Sequence, residues 1–335
     1  MDLLEKMSSF GRKWFARIFP LVLVLTGSFP VHGYAPTVLL GLYGLEQIAQ
    51  DQGGQPAVRA SGLVSWRTLM AENASLALYA RSLVDRSLLE SGQFYDSHTL
   101  SIDTLIRGEA GRIFLEGGLN GSWIGTFEGQ APYFRPDWRV GYERDRDHVL
   151  TSFAYSGYYL SQPGDSEDAL FQGLTLGLAV DPSIRLRYGL EILGGWELWT
   201  EESRNDLLGS VNASVGGLIG YFVDWRIAAQ GGLRWSEASE ESNLYLSLDS
   251  DWAWSPHRQV SLELGIFTRE EIYLWTGTIP AVPTIFSAGV NFRGDWTPND
   301  RLYLVTELSA SRKFADDPAD SWWSMLAQAG IEFRF

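Results

Sequence analysis

The chain has 335 residues, no cysteine and a formal charge of −15 at pH 7, with 41 acids against 26 bases. A balance this acidic argues against nucleic acid as a partner, and the lack of cysteine removes any disulfide framework. Mean hydropathy is −0.08, and beyond the N-terminal leader no window suits a spanning helix of roughly 20 apolar residues, which excludes a helical membrane protein but not a chain of strands alternating in polarity.

Lys6, Arg12, Lys13 and Arg17 precede the apolar run Ile18–Thr26, followed by Gly27, Ser28, Pro30 and the exit Val31-His32-Gly33. Basic region, short apolar core and small residue at the cut is the order of a secretory signal. The core is interrupted by Pro20 and is too short to span a bilayer. Cleavage is expected after Gly33, making 1–33 a leader and 34–335 one mature domain. Losing the leader removes four bases and two acids and takes the charge from −15 to −17.

From Pro36 onward one unit recurs: a strand-like run that alternates in polarity, then turn residues. The clearest apolar parities are Leu76, Leu78, Ala80; Ile113, Leu115, Leu119; Leu174, Leu176, Leu178, Val180; and Leu186, Tyr188, Leu190, Ile192. Further along come Val211, Ala213, Val215; Leu244, Leu246, Leu248; Leu262, Leu264, Ile266; Phe286, Ala288, Val290; and Leu302, Leu304, Leu308. Period two fits these runs and helical spacing does not.

The connections alternate in kind. Short turns are expected at Ala71–Asn73, Gly108–Gly111, Asp145–Asp147, Asp181–Ser183, Val223–Asp224, Ser255–Arg258 and Thr297–Asp300. Longer links lie between them, among them Gly125–Asp137, Gln162–Asp168, Thr200–Asp206, Ser236–Ser242, Glu270–Pro283 and Lys313–Ser321. Short turns on one side and longer loops on the other are the wiring of an antiparallel up-and-down barrel. Counting strand directions back from the C-terminus puts Pro36–Ile48 first and gives about sixteen strands, with fourteen the second choice. Tryptophans cluster at both ends of these strands (Trp66, Trp225, Trp252, Trp254, Trp296 at one; Trp123, Trp138, Trp196, Trp199, Trp235, Trp322, Trp323 at the other), as two membrane interfaces select.

The last stretch, Trp322 to Phe335, carries Trp323, Met325, Ala327, Ala329, Ile331, Phe333 and Phe335 on one parity and Ser324, Gln328, Gly330, Glu332 and Arg334 on the other. An alternating strand ending on an aromatic residue resembles the closing strand of Gram-negative outer-membrane β-barrels of the porin kind. That resemblance implies an exported, all-β transmembrane barrel in the outer membrane, with Ile331, Phe333 and Phe335 as the signal read by the barrel-assembly machinery. It also implies contact with outer-membrane lipid and lipopolysaccharide, and leaves room for a homo-oligomer or a periplasmic partner.

The opposite parity is wet and would line the lumen. Arg185, Arg187, Arg226 and Arg234 are expected as a basic cluster on neighbouring strands, with Arg139, Glu116, Glu191, Asp249 and Glu263 also pore-lining. A barrel this wide commonly leaves an aqueous channel, and charges inside it filter solutes by sign and size. The competing reading makes these residues arginine–carboxylate ladders that brace the wall. The 125–137 link is too short for the long inward-folded constriction loop of trimeric porins.

Enzymatic chemistry is thinly represented. His148 and His257 fall in turn positions, and His98 lies near Asp96 and Asp103 without a second acidic couple facing it. No serine–histidine–acid arrangement can be placed on adjacent strands from the sequence, and neither a metal cluster nor a cofactor loop is evident. The expectation is a non-enzymatic channel for passive diffusion of small hydrophilic solutes. The alternatives are a barrel whose lumen holds a partner in an export or electron-transfer assembly, and a barrel hydrolase centred on His98.

Overall fold

The computed structural model describes residues 37–49, 53–88, 94–124, 132–162, 168–183, 185–199, 204–237, 242–274, 284–315 and 321–335. The expected leader and most of the acidic outer connections lie outside these residues. Sixteen strands follow one another: β1 (Thr37–Ala49), β2 (Gly53–Ala71), β3 (Ala74–Ser87), β4 (Phe94–Gly108), β5 (Gly111–Ser122), β6 (Tyr133–Arg146), β7 (Val149–Leu160) and β8 (Ala169–Ser183). The second half is β9 (Leu186–Trp199), β10 (Arg204–Ile219), β11 (Val223–Ser236), β12 (Asn243–His257), β13 (Val260–Tyr273), β14 (Thr284–Asn299), β15 (Leu302–Ala315) and β16 (Trp322–Arg334). Each pairs antiparallel with the next, and β16 returns to β1 to close the barrel. The count is therefore sixteen, and the irregular first segment is a full strand paired on both sides.

The usual inside–outside rule is inverted. On β8, Leu174, Leu176 and Leu178 are 46%, 55% and 41% exposed, while Thr175 between them is 6% exposed. The same parity holds on the other strands, and so much contiguous exposed apolar surface marks a wall that lipid covers. Outward-facing acidic, basic and histidine side chains of the described strands (Glu46, Arg86, Asp96, His98, Arg144, Arg146, Glu270, Arg312) all lie near strand ends, where the interface tolerates charge. Of the tryptophans expected in the belts, Trp199 and Trp322 instead take the inward parity.

Several tight turns lie further along the chain than the composition suggests. Asp181–Ser183, Ser255–His257 and Thr297–Asn299 belong to β8, β12 and β14, and the turns follow them. The physical reason is proline. Pro182, Pro256 and Pro298 each sit inside a register shift, between Val180 and Ser183, Trp254 and His257, and Trp296 and Asn299. A residue that cannot donate to the ladder is accommodated where a bulge leaves one residue unpaired. The residue before each proline donates its N–H across to the neighbouring hairpin: Asp181 to the His148 carbonyl (2.9 Å), Ser255 to Phe222 (3.0 Å) and Thr297 to Gln259 (2.8 Å). The expected turn Val223–Asp224 is also strand; the turn is 220–222, entered through Gly220 at φ +64°. Asp147 and His148 both have positive φ (53° and 69°), the backbone of a two-residue type I′ hairpin turn.

The seam where first and last strands meet is tightly built. Tyr43 of β1 lies across Gly330 of β16, where an added Cβ would come within 2.2 Å of the ring and 2.5 Å of the Leu42 carbonyl. Its hydroxyl donates to Glu332. Arg59 of β2 grips Asp85 with two bonds of 2.7 and 2.8 Å and reaches over β1 to Gln328 of β16 (3.1 Å). Gln328 in turn donates to Glu307 (3.1 Å). Leu45 and Ala57 are buried beside this bridge. Lumen-facing rings over glycines recur around the barrel, with Phe114 at Gly141, Phe171 at Gly195 and Phe267 at Gly289.

Candidate functional site

The inner wall is built by the parity opposite to the lipid-facing one, and cross-strand register arranges its charges in rows. One row is Asp103, Glu116, Arg139 and Ser156 across β4 to β7. Another is Glu263, Arg293, Glu307 and Gln328 across β13 to β16. A third is Tyr158, Phe171, Glu197, Asp206 and Ser236 across β7 to β11. Direct cross-strand neighbours on one face are close enough to pair or repel.

The third row belongs to a packed sector in the outer half of the lumen. Glu197 and Asp206 stand opposite each other, and both are nearly inaccessible at 5% and 1%. Two adjacent carboxylates would repel, and arginine resolves it. Arg234 donates through Nε to Asp206 Oδ2 (2.8 Å) and through Nη2 to Glu197 Oε2 (3.1 Å). Arg204 pairs with Asp206 Oδ1 at 3.3 Å. Both guanidinium groups lie against the Trp199 ring, 4.6 Å for Arg204 and 5.7 Å for Arg234, and the indole N–H donates to Asp206 (3.3 Å). Tyr158 donates to Glu197, stacks on Phe171 (5.3 Å) and carries Arg135 on its face (5.6 Å). These charges are neutralised and immobilised.

The second sector, on β11 to β15 towards the opposite rim, is open. A cavity of about 330 Å³ there is bordered by Arg226, Asp251, Glu263, Asn291, Arg293 and Glu307. Arg226, Asp251 and Glu263 are exposed although they face the interior. Arg226 lies directly across from Asp251 but forms no ion pair with it or with any other described residue. Arg293 is tied to Asp295 (3.0 Å). Arg81 and Glu191, on β3 and β9, are likewise inward and exposed.

The nine residues expected to line the lumen divide accordingly. Arg139, Glu116, Arg187, Glu191, Arg226, Arg234, Asp249 and Glu263 take the inward parity. Arg185 does not lie on a strand; it occupies the turn before β9. The four arginines do not form one cluster. Arg226 and Arg234 are at opposite ends of β11, eight residues and so roughly 26 Å apart along the strand. Arg187 is half-exposed and bound to Asp224 near the turn rim, while Arg139 and Glu116 form a looser pair at 3.6 Å, with the guanidinium 5.0 Å over Phe114. Tyr133–Asp137 belong to β6, which shortens the 125–137 link further; its 125–131 part lies outside the described residues. At the outer rim, the Tyr159 hydroxyl donates to Asp168 and holds that carboxyl below the usual carboxylate range.

A three-residue array that the sequence does not reveal stands on the outer wall. Ser82 of β3 and His98 of β4 are direct cross-strand partners on the lipid-facing parity. Ser82 Oγ and His98 Nδ1 are 2.9 Å apart, and His98 Nε2 is 2.9 Å from Asp96 Oδ2. Asp96 Oδ1 accepts from Ser122 Oγ, Trp123 N–H and Ile124 N–H, each at 2.9 Å. The sequence signal available was acid and imidazole on the same parity of one strand.

A closed sixteen-strand antiparallel barrel with an apolar outer wall and charged side chains on its inner wall is the fold of Gram-negative outer-membrane porins. Solved structures agree. OccD3 (OpdP) of Pseudomonas aeruginosa matches with a TM-score of 0.57 at 8% identity, over 92% of this chain and 95% of that one. OmpT of Vibrio cholerae, an outer membrane protein in trimer form, gives 0.52 at 10% identity over 90% and 99%. A bacterial polysaccharide outer membrane secretin gives 0.51 at 11% identity over 89% and 98%. At these identities the likeness is one of fold. No protein-family model matches the sequence, and no curated protein sequence does.

Proposed function

We propose that this barrel is an outer-membrane channel through which small hydrophilic solutes diffuse passively. The carrying observation is the open sector: Arg226, Asp251 and Glu263 face the interior and are exposed. Charged side chains on an inner wall remain hydrated only where water reaches them, and among the described residues no helix or strand fills the space they face. Both signs are present there, so the lumen imposes a transverse field on what passes. The packed sector narrows one side of the outer half and holds its shape. Ile331 and Phe333 face outward on β16, and they and the following Phe335 are exposed, as a segment read by the barrel-assembly machinery would need to be.

The test is liposome swelling with the refolded mature chain and uncharged sugars of increasing size. Swelling that falls smoothly with solute size supports diffusion through an aqueous lumen. A correctly folded barrel that admits not even the smallest sugar contradicts it.

A further inference from the structure

We propose that Ser82, His98 and Asp96 form a hydrolytic site on the lipid-facing wall, acting on ester-linked acyl chains of an outer-leaflet amphiphile. An ionisable side chain against lipid is costly, and its cost grows with depth. His98 lies four residues inside the outer end of β4, further from its strand end than any outward-facing Asp, Glu, Lys or Arg of the described strands. It is neither buried away nor idle. Its side chain is 30% exposed, whereas that of Asp96, two residues nearer the strand end, is 7% exposed. Three donors fix one Asp96 oxygen and leave the other for His98. With Nε2–H donating to Asp96, Nδ1 is the lone-pair nitrogen facing the Ser82 hydroxyl. A hydroxyl, a base within reach of its proton and an acid that orients the base is the arrangement of nucleophilic acyl transfer.

The surroundings select the substrate. Below the array on the same wall are Leu78, Ala80, Leu100 and Ile102, an apolar track for an acyl chain. Above it Arg86 is exposed at the strand end, 5.8 Å from the Phe94 ring, where an anionic headgroup would sit. The next residue across from His98 is Gly121, followed by Phe134, so no side chain intervenes between imidazole and ring. An outer-leaflet lipid, headgroup up and chain down, places its ester carbonyl between these two zones, at the level of Ser82.

In the first step Ser82 Oγ attacks the ester carbonyl while His98 takes the hydroxyl proton. The tetrahedral adduct collapses, the ester C–O bond breaks, and His98 returns the proton to the departing alkoxide, leaving acyl-Ser82. Water then attacks, giving its proton to His98, and the carbonyl–Ser82 bond breaks as His98 reprotonates Ser82. The products are a fatty acid and a lyso-lipid. Among the described residues no pair of backbone donors converges on Ser82, so the oxyanion is left to water at the lipid boundary and turnover is expected to be slow.

The test uses the full mature chain, with folding checked by heat-modifiable migration. A fluorophosphonate probe should label the folded barrel, and peptide mapping should place the adduct on Ser82. Fatty acid release should be seen from phosphatidylethanolamine vesicles, from lipopolysaccharide vesicles, or from both, which identifies the lipid class. Ser82→Ala and His98→Ala should lower release by at least about a hundredfold. Asp96→Asn, a positioning residue, should lower kcat and leave KM for lipid unchanged. A folded wild-type barrel that neither labels nor releases fatty acid overturns the proposal. So does an adduct on any residue other than Ser82, or a folded Ser82→Ala barrel with wild-type release.

Discussion

Two sectors of the inner wall use the same residue types to opposite ends. Around Asp206, acids and arginines are buried against Trp199, Tyr158 and Phe171, and each charge is met by another. Around Arg226 and Glu263 the same groups stand apart in solvent. Burial turns a charge into a structural part, since separating it from its partner leaves an uncompensated ion in low dielectric. Exposure leaves it as a source of field that a passing solute can feel. Lumenal arginine on its own therefore says little; its depth and its partners decide the role.

The largest expected effect breaks the packed sector. Asp206→Ala leaves Arg204 and Arg234 facing Glu197 alone and should destabilise the barrel by about 3 kcal/mol or more, read from urea unfolding in detergent micelles. Gly330→Val comes next. It drives a side chain into Tyr43 and the Leu42 carbonyl at the seam and should cost about 1–3 kcal/mol, with slower folding seen on gels. Arg187→Ala removes a half-exposed pair with Asp224 and should cost at most about 1 kcal/mol, an effect that added salt diminishes. Arg226→Glu should change stability least, by about 0.5 kcal/mol or less, yet move the reversal potential towards cation selectivity. A large stability loss on Arg226 substitution would erase the distinction between the sectors.

The barrel was legible because its signal is periodic. On β16 every second residue from Trp323 to Phe335 is apolar, and that parity does face outward. The strand count also followed, because two kinds of connection alternate along the chain. The turns were displaced where Pro182, Pro256 and Pro298 mimic turn chemistry, although a bulge carries the strand past each of them. The arginine cluster was misgrouped because parity reports the face and not the height. Arg226 and Arg234 share a face at opposite ends of one strand, and Arg234 takes partners from β9 and β10 that only the register supplies, whereas Arg226 takes none among the described residues. The Ser82–His98 contact was hidden for the same reason. It depends on the offset of β3 against β4, and the polar residues Asp96 and His98 obscure the apolar parity of Leu100, Ile102 and Ile106 that would have oriented the strand.

The central claim is that the open sector of the inner wall borders a continuous aqueous path. Single-channel conductance of the refolded mature chain in a planar bilayer tests it most directly, with ion selectivity taken from the reversal potential in a salt gradient. A steady open conductance, with a selectivity that shifts on Arg226→Glu and not on Arg187→Ala, is the predicted result. A folded barrel that stays electrically silent, or one whose selectivity ignores Arg226, would contradict it.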